Sequence, residues 1–460
     1  MNFKRSTYSP LFVGLILPSF LLAQVAADSS ITLKDAVKLS EQRNHKLQSR
    51  NYEKQSAISD IEAAKYIKVP SIDASYQANL ATANNLTGMF YPTGMLPMTG
   101  PPSASNNFNP AVGSAASILL NWQAITFGQQ KSQIVAAVAA ANSKELALEQ
   151  EKFSNDIGVI SKYLDVLLSV DNVKIRQRDI ERVELDLDQS KVLTKTGLRP
   201  GVDTAFFQSE LAKARIALLN TKRQLEIDQL VLAQLMAVDF LPVPSDTSFL
   251  TKLPENFLNM DSSFVNHPFL EYAKSQMELS QTREQLLKKS YLPKLTVFGI
   301  AFGRGSGVQQ DGSIKTLSGF DLNRYNYGAG VQLTYPIMKY GEVKRQLASQ
   351  NFQTKAASES ILQTNTELAT QQRIANATFA STIKTANETQ QQLKSAQYAF
   401  SAMQSRYNTG LVSISDLAQV RYNLLEAELA LKTAYWDSWK ALLLQTFVRG
   451  DVTFFLNELK

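Results

Sequence analysis

Two stretches decide the reading of this chain, "TGLRPGVDTA" at residues 196–205 and "TGLVSISDLA" at residues 409–418. Thr-Gly-Leu recurs with an aspartate at the same distance beyond it, Asp203 and then Asp416, at an offset of 409 − 196 = 213. At that offset Trp122-Gln123 falls on Tyr335-Pro336, and Phe127-Gly128 on Tyr340-Gly341. Ala214, Ala217 and Leu218 fall on Ala427, Ala430 and Leu431. One gap-free offset over about a hundred residues means that two copies of one unit share a ground plan. Upstream the match loosens, with Asn44-His45 against Asn266-His267 and Pro70 against Pro293. Between the copies "LPVPSDTSFLTKLPENF", rich in proline and turn formers, reads as a linker. The predicted organisation is a signal peptide at 1–27, repeats at 28–240 and 263–450, a linker at 241–262 and a tail at 451–460.

The leader reading rests on Lys4 and Arg5, the apolar run 11–22, and the small residues Val25-Ala26-Ala27 before the expected cleavage. No later stretch reaches the roughly 18 apolar residues of a membrane helix. Without Lys4 and Arg5 the net charge falls from +6 to 6 − 2 = +4, and the basic residues are scattered, so no nucleic-acid partner is expected. There is no cysteine, and the two histidines, His45 and His267, stand far apart. Metal centres and Cys/His catalysis therefore lack material, and no cofactor is expected. "GRGSG" at 303–307 is not followed by Gly-Lys-Ser/Thr, so it reads as a surface loop. Asp186 and Asp188 read as solvated helix charge rather than a catalytic pair.

Within each copy the periodicity changes. Ile72, Ala74, Tyr76, Ala78 and Leu80 alternate with polar residues, as do Ala116, Ile118, Leu120 and Trp122. In the second copy Tyr325, Tyr327, Ala329, Val331, Leu333, Tyr335 and Ile337 alternate in the same way. A period of two predicts strands with one apolar face, at about 70–80, 115–124 and 325–337, with a poorly alternating partner at 294–302. Regions 129–195 and 342–409 contain hardly a helix breaker and would each make roughly 100 Å of helix. Ile157, Ile160, Leu164 and Leu167 carry coiled-coil spacing, whereas "ASESILQTNTELATQQRIANATFASTIKTANETQQQ" is polar around most of its circumference and must be wet on more than one side.

The repeated turn now has a role. Gly197 and Gly410 supply a left-handed residue to close each long helix, and Leu198 and Leu411 are expected to pack back on it. Asp203 and Asp416 then start the next helix, where a carboxylate caps free N–H groups. Each copy is a helical hairpin with a tight tip, both tips at one end. Four strands with an apolar face fit lipid only with closed edges, so strands from other copies of the chain are required.

These features, above all "RYNTGLVSISDLAQVRYNLLEAELAL" at 406–431, resemble the TolC family of outer-membrane efflux proteins over essentially the whole mature chain. The resemblance implies a mainly α fold with a transmembrane β-barrel portion: a homotrimer whose twelve-stranded barrel continues as a periplasmic α-helical coiled-coil tunnel. It implies outer-membrane lipid, a periplasmic adaptor protein, and an inner-membrane transporter or secretion ATPase as partners. Gly197, Leu198, Gly410 and Leu411 would be adaptor-docking tips. Asp203, Tyr407 and Asp416 would form the entrance gate, with Gln419 in place of a second entrance aspartate and Val412 in place of the arginine that reinforces the latch. Trp122, Tyr325, Tyr327 and Tyr335 are candidate membrane-interface aromatics. The resulting expectation is a passive exit duct for efflux or one-step secretion. A periplasmic coiled-coil adaptor or structural rod is the alternative, and an enzyme would need an acid, base or nucleophile set that does not cluster in the sequence.

Overall fold

The computed structural model describes residues 30–82, 84, 105–254, 264–309 and 311–457. The expected signal peptide, most of the first long loop, residues 255–263 and the last three residues lie outside the described residues. The chain runs β1 (Ser30–Ile31), α1 (Leu33–Arg43), α2 (His45–Tyr66), β2 (Ser71–Ala81), β3 (Ala111–Ile125), α3 (Gln129–Lys195), α4 (Gly201–Met236) and β4 (Val243–Pro244). The second half follows with α5 (Pro268–Lys289), β5 (Lys294–Ser306), β6 (Arg324–Thr334), α6 (Lys339–Asn408), α7 (Ile414–Arg449) and α8 (Thr453–Asn457).

β2, β3, β5 and β6 form one antiparallel sheet in that order. Its register explains the alternation. Ala74 pairs with Ile118, Ile118 with Ala301, and Ala301 with Tyr327, so apolar residues of all four strands share one face. Ile72, Tyr76, Leu80, Ile118, Tyr325, Val331 and Leu333 lie exposed on that face. β5 alternates poorly because it is apolar on both faces. Phe298 pairs with Gly330, whose missing side chain leaves room for the Phe298 ring. Gly303 to Ser306, expected in a loop, continue β5 instead. β6 ends at Thr334, short of the predicted 337, because Pro336 has no N–H to extend the ladder. Tyr335 and Ile337 therefore lie beyond the strand.

α3 has 67 residues and α6 has 70, so each spans about 100 Å. Only seven residues of α6 are buried within the chain, among them Leu368, Ala375, Phe379 and Tyr407, in keeping with its polar sequence. α3 buries Ile160, Leu164 and Leu167 of its coiled-coil seam, with Ile157 partly buried beside them. They meet Leu232 and Met236 of α4 and Trp439 and Leu442 of α7.

The described part of the predicted linker, residues 241–254, is packed on the shaft. β4 pairs in parallel with β1, and Asp246 accepts hydrogen bonds from the Leu33 N–H at 2.7 Å and the Tyr163 hydroxyl at 2.7 Å. Phe249 is fully buried edge-on to Trp439, ring centroids 4.8 Å apart, and stacks on Phe455 of α8. Burial of a phenylalanine contributes roughly 1.5–3 kcal/mol, enough to hold the connector and the tail on the shaft. His267 is structural: its ring accepts from Phe269 N–H at the start of α5 and lies 2.9 Å from the Phe447 carbonyl.

Candidate functional site at the hairpin tips

The tips are built alike. Gly197 has φ +73 and Gly410 φ +80, the left-handed backbone that only glycine adopts freely. Leu198 N–H reaches back to Leu193 O at 2.9 Å, and Leu411 N–H to Arg406 O at 2.9 Å. Gly197 N–H bonds Thr194 O and Gly410 N–H bonds Tyr407 O, so the last carbonyls of α3 and α6 are satisfied. The leucines do not pack back as expected. Both are 71% exposed, because the backbone bonds alone close the turn.

The two aspartates, equivalent in the repeat, do different work. Asp416 closes a reciprocal cap: its carboxylate accepts from the Ser413 hydroxyl at 2.6 Å and the Ser413 N–H at 3.2 Å, while Asp416 N–H donates to the Ser413 hydroxyl. The Ser413 hydroxyl, then its backbone, hold the Asp416 carboxyl below the usual carboxylate range, and the residue is exposed. Asp203 does not cap. Pro200 occupies the cap position of α4 and offers no side-chain bond, so Asp203 lies in the first turn, 6% exposed, turned inward.

What faces Asp203 is Tyr407. The Tyr407 hydroxyl donates to Asp203 Oδ2 at 3.5 Å, across the gap between the first hairpin and the second. Tyr407 is fully buried, edge-on to Phe207 in a tip core with Val183, Leu187, Leu211 and Leu417. Burial, then the Asp203 charge, pushes the Tyr407 phenol up, so it stays a donor. Tyr407 is thus both a packing aromatic and a polar tie.

Another arginine contacts the second tip. Arg199 Nη2 donates to Val412 O at 2.8 Å and to Tyr407 O at 3.5 Å, and its guanidinium carbon lies 4.8 Å from the Tyr407 ring centroid. Its position was legible, since 199 + 213 = 412: the arginine stands at the equivalent place in the other copy. Among the described residues the Gln419 side chain bonds along its own helix, to Asn423 at 3.0 Å.

The sheet candidates lie at the opposite end of the long helices. Tyr325 and Tyr327 are exposed on the apolar face. Trp122 is part-exposed and its indole N–H donates to Lys68 O at 3.0 Å, while Tyr335 stands beyond β6. Asp186, expected to be solvated, is buried at 1% exposure among the tip-proximal helices, with Asp179, Arg182 and Arg421 around it.

Comparison with known proteins places this architecture. The outer membrane protein TolC of Escherichia coli is 23% identical over 455 residues, covering 92% of this chain and 85% of that protein. The pyoverdine export outer membrane protein OpmQ of Pseudomonas aeruginosa is 23% identical over 337 residues, 71% of this chain and 68% of that protein. Among solved structures, CusC superposes with a TM-score of 0.75 at 13% identity, covering 91% of this chain and 92% of that one. The outer-membrane channel OprN does so at 0.71 and 14%, covering 91% and 89%. The sequence model described as "Outer membrane efflux protein" matches residues 36–238 and 260–439, both hairpins and both strand pairs. This chain belongs to the outer membrane efflux protein family.

Proposed function

We propose that the protein is the outer-membrane exit duct of a tripartite efflux pump or one-step secretion system, opened at its helical tips by partners. The observation that carries this reading is the sheet, apolar and exposed on one face with β2 and β6 as open edges, set on helices of about 100 Å that are too polar for a solid core. Unpaired edges in lipid are costly, so strands from further copies close the sheet into a barrel. Three chains give twelve strands, and the same threefold closure wraps the helices around a watery tunnel. Tyr325, Tyr327 and Trp122 lie against lipid or its headgroup boundary, and Tyr335 lies just beyond the strand on the tunnel side.

The chain is not an enzyme, and with no Gly-Lys-Ser/Thr in its sequence it has no phosphate loop to energise transport. Opening energy comes from a periplasmic adaptor that engages Gly197, Leu198, Gly410 and Leu411, together with an inner-membrane transporter or secretion ATPase. The resting entrance is held by Asp203 with Tyr407. Exposed Asp416 carboxylates, gathered near a threefold axis, repel one another and attract cations. Replacing Asp416 with alanine should weaken block by multivalent cations from the periplasmic side.

Single-channel recording of the detergent-extracted protein in a planar lipid bilayer tests the reading. Discrete, long-lived conductance is expected. Repeated failure of folded oligomers to insert would overturn the duct in favour of a periplasmic structural role.

A further inference from the structure

Between the tip core and the shaft, α3, α4 and α7 enclose charges that neither the caps nor the tip tie uses. α7 is fastened to α3 by three ion pairs: Lys440 to Asp165 at 2.7 Å, Lys432 to Asp171 at 3.0 Å, and Arg182 to Glu428 at 2.8 Å, the last a two-pronged contact. Toward the tip the fastening stops. Two turns below Glu428, Arg421 is 5% exposed and turns to α4 instead, its Nη2 3.0 Å from Glu210.

The other guanidinium nitrogen of Arg421, Nη1, is buried with no hydrogen-bond partner among the described residues. Asp186, one turn below Arg182 on α3, has the complementary defect: among the described residues Oδ1 receives a long bond from Gln404 at 3.4 Å, and Oδ2 is buried without a hydrogen-bond partner. A buried orphan donor and a buried orphan carboxylate oxygen on facing helices each need an explanation. Glu210, by contrast, does not depend on Arg421, because Lys213 holds its other oxygen at 2.7 Å and the residue is part-exposed. Neither Asp186 nor Arg421 has a charged counterpart in the other repeat, where Ala399 and Gln208 stand (186 + 213 = 399; 421 − 213 = 208). The arrangement is specific to the seam between hairpins.

We infer that Arg421 is a partner-exchange residue: it holds α7 on α4 through Glu210 in the present arrangement and transfers to Asp186 of α3 when the tip rearranges. The Arg182–Glu428 fork is the pivot. Above it α7 stays fixed to α3, and below it the segment from Arg421 to the Leu411 tip swings. Each state gives the same buried guanidinium one carboxylate partner, part-exposed Glu210 or buried Asp186, the property of a bistable element rather than a deformable one. The use of such a swing rests on the gated-duct reading, whereas its occurrence is measured on the tips without any current.

The absence of cysteine allows a unique label. Full-length protein carrying Leu411→Cys labelled with bimane and Leu198→Trp as a contact quencher reports how close the two exposed tips lie. Glu210→Gln, which releases Arg421 and keeps side-chain volume, should change the quenching by about twofold or more. Asp186→Asn alone should leave it near the parent value, and the double variant Glu210→Gln/Asp186→Asn should return to the parent, because the exchange has lost its destination. Lowering the pH should do the same to Glu210→Gln. Burial pushes the Asp186 carboxyl up to about 6 in the present arrangement. The groups around it are Asp179 and Arg182 of α3, Gln404 and Tyr407 of α6, and Arg421 of α7, with Glu210 of α4 beyond Arg421. Once Arg421 is its partner the proton binds less readily, so the reversal should fall below that pH. Quenching unmoved by Glu210→Gln, or moved equally with Asp186 present and absent, would overturn the exchange. A duct that does not conduct would not bear on it.

Discussion

Arg199→Ala should loosen the entrance by an amount the geometry sets. The side chain contributes one charge-assisted hydrogen bond, Nη2 to Val412 O at 2.8 Å, and one ring contact with the guanidinium 4.8 Å from the Tyr407 centroid. For a half-buried donor the first contributes about 1.5 kcal/mol. The second adds about 0.5–1 kcal/mol. Their sum of about 2 kcal/mol corresponds to about a 30-fold shift in the ratio of separated to joined tips. Arg199→Lys keeps the charge and loses the planar face, so it should fall between parent and alanine. The assay is the open-to-closed dwell ratio of single channels in a planar bilayer, read beside the melting temperature. Melting should hardly move, because Phe249, Trp439 and the rest of the shaft core lie far along the helices. An unchanged dwell ratio in a folded, conducting Arg199→Ala protein would refute the reasoning and leave the Tyr407–Asp203 contact to hold the tips.

Three further outcomes follow from other sites. Asp416 has its folded carboxyl held below the ordinary range by Ser413, so its contribution to the start of α7 is full above the unfolded value and is lost as pH falls through the folded one. Amide exchange at residues 414–417 should rise in acid below about pH 4, and Asp416→Asn should raise exchange at neutral pH and abolish the acid step. Asp156 behaves oppositely: burial, then the Glu41 charge, pushes its carboxyl up to about 7. Folding therefore favours the protonated form, and stability is lost as pH rises from the unfolded value through the folded one. Asp156→Asn should raise the melting temperature by a margin that grows between about pH 4 and 7 and then levels off. Gly319→Ala would place a methyl 2.0 Å from the Val112 carbonyl oxygen, where Ser114 also bonds Gly319 O. It should lift the segment after β5 off β3 and expose it to protease on intact cells, with helical circular dichroism unchanged.

Much of this was legible in the sequence because it rests on local rules. A left-handed residue after a long breaker-free run predicts the tips, and both glycines have positive φ. The period of two in β2, β3 and β6 reads directly onto one sheet face. What was not legible depends on which helices meet. Asp186 reads as one more solvated charge in the sequence, and the helices of the second hairpin, with Gln404 of α6 and Arg421 of α7, bury it. Asp203 and Asp416 occupy equivalent positions, yet the residue three before each, Pro200 or Ser413, decides which one caps. β5 alternates poorly because both of its faces are apolar, and the glycine that accommodates Phe298 is a cross-strand fact. Arg199 stands on the tip opposite Val412, at the place the repeat offset gives.

The strand order has a consequence for biogenesis. β3 and β5 come from different copies of the repeat, so the joint inside the chain is of the same kind as the joint that β6 of one molecule would make with β2 of the next. In the proposed twelve-stranded ring, two copies in one chain leave three joints between chains instead of six and would lower the kinetic order of assembly in chain concentration. A half-length chain with one strand pair would need twice as many subunits and would assemble far more slowly when dilute. On the proposed ring closure, a molecule without its neighbours would carry two complementary unpaired edges, so its most dangerous period would be the search for the next copy.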